Sequence, residues 1–78
     1  MTNLEKYRNA FVESLDLKLE EVINASQESV DTWDSIGQMS LVAVIEDTFG
    51  FEFRPEDIVE FDSYEKGIEL LGKYNIEV

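Results

Sequence analysis

Ser35 is the residue whose surroundings point most directly to chemistry, and it lies within the segment WDSIGQM at positions 33–39. A serine hydroxyl becomes a strong nucleophile only when a nearby base, usually an imidazole, takes its proton. The sequence contains no histidine, no cysteine and no glycine-rich loop of the kind that binds phosphates. Because these groups are absent, a serine that receives a covalent group is favoured over one that acts as a nucleophile. The sequence therefore predicts a carrier rather than an enzyme, with Ser35 as its attachment point.

A serine at the start of a helix also has a purely structural explanation. Ser35 and Gln38 have the spacing of a capping box, in which the serine hydroxyl accepts a hydrogen bond from a backbone N–H. Such a cap stabilises a helix by about 1 kcal/mol relative to alanine. Asp34 is equally well explained as an acid that interacts favourably with the helix dipole. From the residues alone, capping stays open as an alternative to modification.

The charge of the chain is strongly negative and unevenly distributed. Eighteen acidic residues against six basic ones give a net charge of -12. No lysine or arginine occurs between Leu19 and Phe53, a range that includes Ser35. Such a surface repels nucleic acid phosphates and anionic lipids, and it attracts basic protein surfaces. We expect basic proteins as partners, and neither nucleic acid nor membrane; the alternative is that the acidity serves only solubility.

Size and composition predict one folded domain that covers residues 1–78. A chain of 78 residues with 44% hydrophobic residues can form a core, although it is close to the lower size limit for doing so without disulfides or metal. Because cysteine and histidine are absent, the usual ligands of transition metals are missing, and we expect no metal site. No apolar run has the length of a signal-peptide core or a membrane span. We expect a cytoplasmic monomer.

The spacing of apolar residues predicts an all-α fold, a small four-helix bundle with a long loop between helices one and two and a short third helix. Helix one is predicted at residues 3–15, where one apolar stripe recurs at helical spacing. Helix two is predicted at residues 35–49 and ends at Gly50. The loop at residues 16–34 is long for a compact domain, so we expect its apolar residues to pack against the helices, with a helical turn within residues 19–24.

The last two helices are predicted from their start signals. Arg54 and Pro55 open the short third helix, which ends near Phe61. Asp62 precedes the fourth helix as its predicted cap, with a glutamate three residues later. This helix is expected to run to about Tyr74.

Helix two carries two apolar stripes, whereas a surface helix normally needs one. At about 100° per residue, the first stripe is ordinary core and consists of Leu41, Val44, Ile45 and Phe49. The second lies roughly opposite and consists of Ile36, Met39 and Ala43, on a face that also carries Ser40, Glu46 and Asp47. This pattern predicts exposed apolar side chains near Ser35, surrounded by carboxylates. The alternative is that the long loop or helix three covers Ile36 and Met39.

These features together resemble the acyl carrier protein family over essentially the full length of the chain. The resemblance rests on the order of the helices and on the Asp34-Ser35-Ile36 signature that opens the second helix. In that family the signature serine is esterified with phosphopantetheine, which a dedicated transferase takes from coenzyme A. The resemblance implies phosphopantetheine as a covalent cofactor on Ser35, flanked by Asp34 and Ile36, and a phosphopantetheinyl transferase as partner.

The resemblance also implies the remaining partners and the surface that meets them. The second helix of the family is its recognition helix, and Glu46 and Asp47 match two of its acidic positions. We expect acyl-loading and acyl-transferring enzymes with basic patches, contacting Met39, Ser40, Ala43, Glu46, Asp47, Glu56 and Asp57. The expected function is to carry an acyl thioester between enzymes of a lipid, polyketide or cell-surface biosynthetic pathway.

Three positions differ from the family members that serve fatty acid synthesis. Ser40 stands where those proteins usually have an acid, Gly37 where a polar or acidic residue is common, and Trp33 precedes the signature. These differences indicate a stand-alone, specialised carrier. Two alternatives stay open: an aminoacyl or peptidyl carrier of the same fold, and an unmodified acidic module that only binds partners.

Overall fold

The structure, a computed structural model, describes all 78 residues and contains five α-helices and no β-strand. In chain order the helices are α1 (Asn3–Leu15), α2 (Leu19–Val22), α3 (Ser35–Phe49), α4 (Pro55–Glu60) and α5 (Tyr64–Lys73). The all-helical prediction is confirmed, and the bounds of α1 and α3 agree with the sequence patterns. The additional helix, α2, is a single turn within the long loop.

Helix α1 begins and ends with defined caps. The Thr2 hydroxyl accepts a hydrogen bond from the backbone N–H of Glu5 (3.1 Å), and the Glu5 carboxylate accepts one from the backbone N–H of Thr2 (3.0 Å). This reciprocal capping box satisfies two of the backbone donors that a helix start leaves free. The helix ends at Asp16, which adopts a left-handed conformation with φ 55°. Its buried residues are Tyr7, Ala10, Phe11 and Leu15, and all of them except Ala10 belong to the predicted apolar stripe.

The long connection between α1 and α3 is packed against the helices at several points. Val22, Ala25 and Trp33 are buried, and an isolated antiparallel bridge joins Ser26 to Ser63 at the start of α5. These contacts confirm the expectation that the loop is attached to the helices. Since Trp33 lies near the end of this connection, its burial fixes where α3 begins.

Helix α2 directs one of its apolar residues inward and leaves the others outside. Val22 is fully buried, whereas Leu19 and Ile23 are exposed. A four-residue helix has a single inward position, and Val22 occupies it. The expectation that all the apolar residues of the loop pack against the core is therefore wrong for Leu19 and Ile23.

An aromatic cluster fills the centre of the molecule. Phe11 lies edge-to-face against Tyr7, Trp33 and Phe61, with ring centroids 5.0, 5.4 and 6.2 Å away. The Tyr7 hydroxyl donates a hydrogen bond to the backbone carbonyl of Tyr64 (2.6 Å), and burial raises the pKa of Tyr7 above its ordinary value. Edge-to-face pairs of this kind add to the stability gained from apolar burial alone. The cluster therefore joins α1, the long loop, the end of α4 and the start of α5.

Helix α3 contributes a core face that is rotated slightly from the predicted one. Leu41, Val42 and Ile45 are buried, while Val44 and Phe49 are only half buried. Val42 rather than Val44 therefore belongs to the buried face. At about 100° per residue, Val42 lies about 60° around the helix from Ile45, whereas Val44 lies about 100° away from it. The predicted stop at Gly50 is confirmed, since this residue adopts φ 69° as the left-handed cap of α3.

The starts of α4 and α5 show one agreement and one correction. Pro55 occupies the first turn of α4, as predicted. The cap of α5 is Ser63, whose hydroxyl accepts a hydrogen bond from the backbone N–H of Lys66 (3.1 Å). The prediction of Asp62 as this cap is wrong. A capping residue must be the last extended residue before the helix, and the bridge to Ser26 holds Ser63 in that conformation.

No helix combines the length and the apolar character needed to cross a membrane.

Candidate modification site at the start of helix α3

Ser35 is the first residue of α3, and its side chain is exposed. The cap of the helix is Asp34, whose carboxylate accepts a hydrogen bond from the backbone N–H of Gly37 (2.9 Å). The predicted capping box between Ser35 and Gln38 is therefore wrong. A carboxylate at the capping position satisfies the free backbone donor, and this leaves the Ser35 hydroxyl outside the cap.

Close packing holds the first turn of α3 against the end of the long loop. Gly37 is buried, and a Cβ atom at this position would collide with the backbone carbonyl of Thr32. Thr32 is itself anchored, because its hydroxyl donates a hydrogen bond to the carbonyl of Leu15 at the end of α1 (2.7 Å). Glycine is thus required at position 37 for close approach, and the approach fixes the position of Ser35 on the molecule.

Gln38 connects the site to α4 through a buried amide. Its Oε1 atom accepts a hydrogen bond from the indole N–H of Trp33 (2.5 Å), and its Nε2 atom donates to the carbonyls of Ile58 (2.8 Å) and Phe61 (3.1 Å). The amide therefore satisfies the indole and two carbonyls at the end of α4. The sequence patterns did not predict this role. A signal was present, since Gln38 lies three residues before Leu41 and so falls on the buried stripe of α3.

An open groove of about 540 Å³ lies beside Ser35, between α3 and α4. The groove is lined by Gln27, Trp33, Asp34, Ser35, Gln38, Met39, Ile58 and Val59. It combines apolar side chains with amide and carboxylate groups, and Ser35 forms part of its wall. A group attached to the serine oxygen would have this groove immediately beside it.

Apolar side chains around the groove are exposed, as the second stripe predicted. The exposed fractions are 77% for Ile36, 74% for Met39 and 82% for Val59, and Ala43 is also exposed. Neither the loop nor α4 covers Ile36 or Met39, so the alternative of a second covering layer is excluded. Val59 was not among the predicted contacts. It is exposed because the six-residue α4 directs its opposite side toward the core.

The acidic residues predicted to meet partners fall into different environments. Ser40, Asp47 and Glu56 are exposed. Glu46 is partly buried, and its carboxylate accepts a hydrogen bond from the backbone N–H of Phe53 (2.8 Å), which ties the segment after α3 back to the helix. Glu46 therefore has a structural role as well as a position on the face that is predicted to meet partners.

The prediction that Asp57 belongs to the partner surface is wrong. It is 4% exposed, and its carboxylate accepts hydrogen bonds from the Tyr74 hydroxyl (2.5 Å) and the Lys73 ammonium (3.3 Å). The Tyr74 hydrogen bond is the main cause that holds the pKa of Asp57 below its ordinary value, and the Asp57 carboxylate in turn raises the pKa of Lys73. An acid used in this way joins α4 to α5 and is not available to a partner.

The acids near Ser35 have no cationic neighbour. Two ion pairs form, Lys66 with Glu60 (3.7 Å) and Lys73 with Asp57 (3.3 Å), and both join α4 to α5. Asp34 and Asp47 belong to neither pair. Neither carboxylate is paired with a cation, and the partner of Asp34 within the chain is the backbone N–H of Gly37, so the face around Ser35 remains negative.

No family model matches the chain, and a search of the curated proteins finds no match. No group of three or more acidic side chains is placed to hold a metal ion. The site itself offers an exposed hydroxyl on a rigid helix start, an adjoining groove and an acidic, partly apolar surround. Such an arrangement can accept a covalent group and present it to another protein.

Proposed function

We propose that this protein is a carrier of the acyl carrier type, which receives phosphopantetheine on Ser35 and passes an acyl thioester between partner enzymes. The observation that supports this most is the exposed Ser35 hydroxyl, held outside the helix cap that Asp34 supplies. A serine that only capped the helix would use its own oxygen for that purpose. The proposal treats α1, α3, α4 and α5 as a four-helix bundle in one domain, with α2 as part of its loop, acting as a monomer in the cytoplasm.

The residues around Ser35 fit an attached phosphopantetheine. Its phosphate would lie at the N-terminus of the fifteen-residue α3, where free backbone N–H groups and the helix dipole favour negative charge. The adjoining groove of about 540 Å³ offers space for an extended arm. The terminal thiol of that group supplies the thioester chemistry that a chain without cysteine lacks.

Each neighbouring residue has a definite part in this proposal. Asp34 caps α3, and Gly37 allows the helix to approach the loop, so together they hold the start of the helix in place. Ile36 and Met39 expose apolar surface that a partner can cover, and methionine adapts easily to different partners. The partners would be a phosphopantetheinyl transferase and acyl-loading or acyl-transferring enzymes.

Charge supports basic patches on those partners. Asp47 and Glu56 are exposed on α3 and α4, and neither forms an ion pair within the chain. Opposite charge on a visiting enzyme would increase its association rate, and this effect would weaken as salt is added. Asp57 is not included, because its carboxylate is buried.

Transfer in vitro tests the proposal. The purified protein is incubated with coenzyme A, magnesium and a broad-specificity phosphopantetheinyl transferase, and its intact mass is measured. We expect the mass of one phosphopantetheine group to be added. Ser35→Ala should abolish the gain, whereas Ser40→Ala, which removes another exposed serine of α3, should retain it.

An unmodified adaptor that uses the same face only for binding would give a different result. Its mass would stay constant under these conditions. A gain that persists in Ser35→Ala would place the modification elsewhere and would contradict the proposal.

A further inference from the structure

Two glycine positions, Gly37 in α3 and Gly67 in α5, show how tightly parts of the interior are packed. A Cβ atom at Gly37 would collide with the Thr32 carbonyl and would come within 3.0 Å of the Leu15 side chain. A Cβ atom at Gly67 in α5 would collide with the Tyr7 hydroxyl and the ring of Phe61. Because not even one methyl group fits at either position, these parts of the interior cannot accept the carbon atoms of an additional chain without rearrangement.

The path from Ser35 into the core is closed by hydrogen bonds as well as by packing. Trp33 and Gln38 both line the groove beside Ser35, and the indole N–H of Trp33 donates to Gln38. The indole ring is 2% exposed and lies edge-to-face against Phe11 and Phe61, with centroids 5.4 and 5.7 Å away. A chain that entered here would have to displace the indole and leave buried polar groups without partners, which is unfavourable.

The groove outside the core offers a different environment. Met39, Ile58 and Val59 give it apolar surface, but Gln27 and Asp34 also line it, and it is open to solvent. A long alkyl chain in this groove would keep much of its surface in water, at a cost that grows with every methylene group. A short acyl group has fewer methylene groups and incurs less of that cost.

We propose that the cargo attached through Ser35 is a short acyl group, which stays outside the helical core in the groove between α3 and α4. This inference rests on the function proposed above. It requires that the packed contact between Trp33 and Gln38 stay closed when cargo is attached.

The single tryptophan of the chain provides the test. The protein is loaded by a phosphopantetheinyl transferase from coenzyme A, butyryl-coenzyme A and decanoyl-coenzyme A, and the indole N–H resonance of Trp33 is recorded for each product. We expect the resonance to have the same position in the butyryl and decanoyl products, because no chain enters the core. Retention on a hydrophobic-interaction column should increase from butyryl to decanoyl, because the longer chain remains exposed.

A resonance that moves progressively with chain length, together with unchanged column retention, would overturn the inference. Phe61→Leu, which makes space beside Trp33 while keeping the probe, is the matched variant. A decanoyl-dependent shift in this variant alone supports a closed wild-type core, whereas the same shift in both proteins contradicts it. The intact mass reports loading separately: failure to load contradicts the proposed function, while loading with a length-dependent shift contradicts only the placement of the cargo.

Discussion

At the start of α3, two adjacent residues have separate roles. Asp34 satisfies the backbone N–H of Gly37 and so stabilises the helix, while Ser35 remains exposed with its hydroxyl outside the cap. Both residue types are good helix caps, so their order along the chain decides which oxygen stays accessible. Here the order favours an accessible serine.

This division of roles predicts that two neighbouring substitutions differ in their effect on stability. Asp34→Ala should lower the free energy of unfolding by about 1 kcal/mol, because the cap is lost. Ser35→Ala should change it by less than about 0.5 kcal/mol, as expected for an exposed residue without a structural contact. Urea denaturation of both variants measures the two values. A larger loss in Ser35→Ala than in Asp34→Ala would mean that the serine is the true cap.

At the scale of the elements, much of the helical framework could be predicted from the sequence and the contacts between helices could not. The bounds of α1 and α3 follow from apolar spacing and from Gly50, which are local signals. The caps were harder, because Asp34 and Ser35 are both competent and backbone conformation decides between them. The role of Gln38 depends on carbonyls of Ile58 and Phe61, which lie about twenty residues further along the chain and reach it only in the folded molecule.

In the candidate site, too, features that depend on local patterns could be predicted from the sequence, and features that depend on long-range contacts could not. The exposure of Ile36 and Met39 followed from a second apolar stripe on one helix, which is a local pattern. The burial of Asp57 did not, because it results from Tyr74 and Lys73 at the far end of α5. An acid in the first turn of a short helix is predicted to be exposed unless a partner elsewhere in the chain is known.

The close contact between α3 and the loop can be tested with glycine substitutions. Gly37→Ala should destabilise the protein by about 1–3 kcal/mol, because the added methyl group meets the backbone of Thr32, which cannot move freely. Gly72→Ala in α5 is the matched control. Its added Cβ meets no atom within 4 Å, so we expect stabilisation of up to about 1 kcal/mol from higher helix propensity. Equal effects in thermal or urea unfolding would contradict the contact.

The link between α4 and α5 predicts a pH-dependent effect at Tyr74. Its hydroxyl donates to Asp57 and holds the pKa of that carboxyl below its ordinary value of 3.8. A carboxyl with a lower pKa in the folded state contributes stability above its unfolded-state pKa and loses it as the pH falls through the folded-state value. Tyr74→Phe should therefore lower the melting temperature clearly at about pH 7, and the deficit should narrow below pH 3.8.

Tyr64→Phe is the control for this experiment. The Tyr64 hydroxyl accepts a hydrogen bond from the Arg8 guanidinium (3.0 Å), a group that stays charged throughout this pH range. Its deficit in melting temperature should be independent of pH. If the deficit of Tyr74→Phe is also independent of pH, the Asp57 carboxylate is not the partner through which Tyr74 stabilises the protein.

At the scale of the whole molecule, the excess of acidic charge is the dominant electrostatic feature. Two ion pairs form in a chain with a net charge of -12, and both lie between α4 and α5. The remaining acids repel one another, which lowers the stability of a compact state. Under the proposed function, the same charge would attract basic partners to the face around Ser35, so stability and recognition would place opposite demands on it.

Salt should therefore stabilise this protein. We expect the melting temperature to rise with sodium chloride over the range in which the Debye length falls below about 10 Å, because screening weakens the repulsion. In the double variant Asp47→Asn, Glu52→Gln, which removes two exposed charges, the starting temperature should be higher and the salt effect smaller. Differential scanning calorimetry measures both. A wild-type melting temperature that does not respond to salt would show that the acids repel one another too little to matter.

The central claim is that Ser35 serves as an attachment point in the living cell. Intact-mass measurement of the protein isolated from its native host, followed by peptide mapping, tests this most directly. We expect a population that carries the mass of phosphopantetheine, with or without an acyl group, on the peptide that contains Ser35. A population that is entirely unmodified, or a modification on any other residue, would contradict the account.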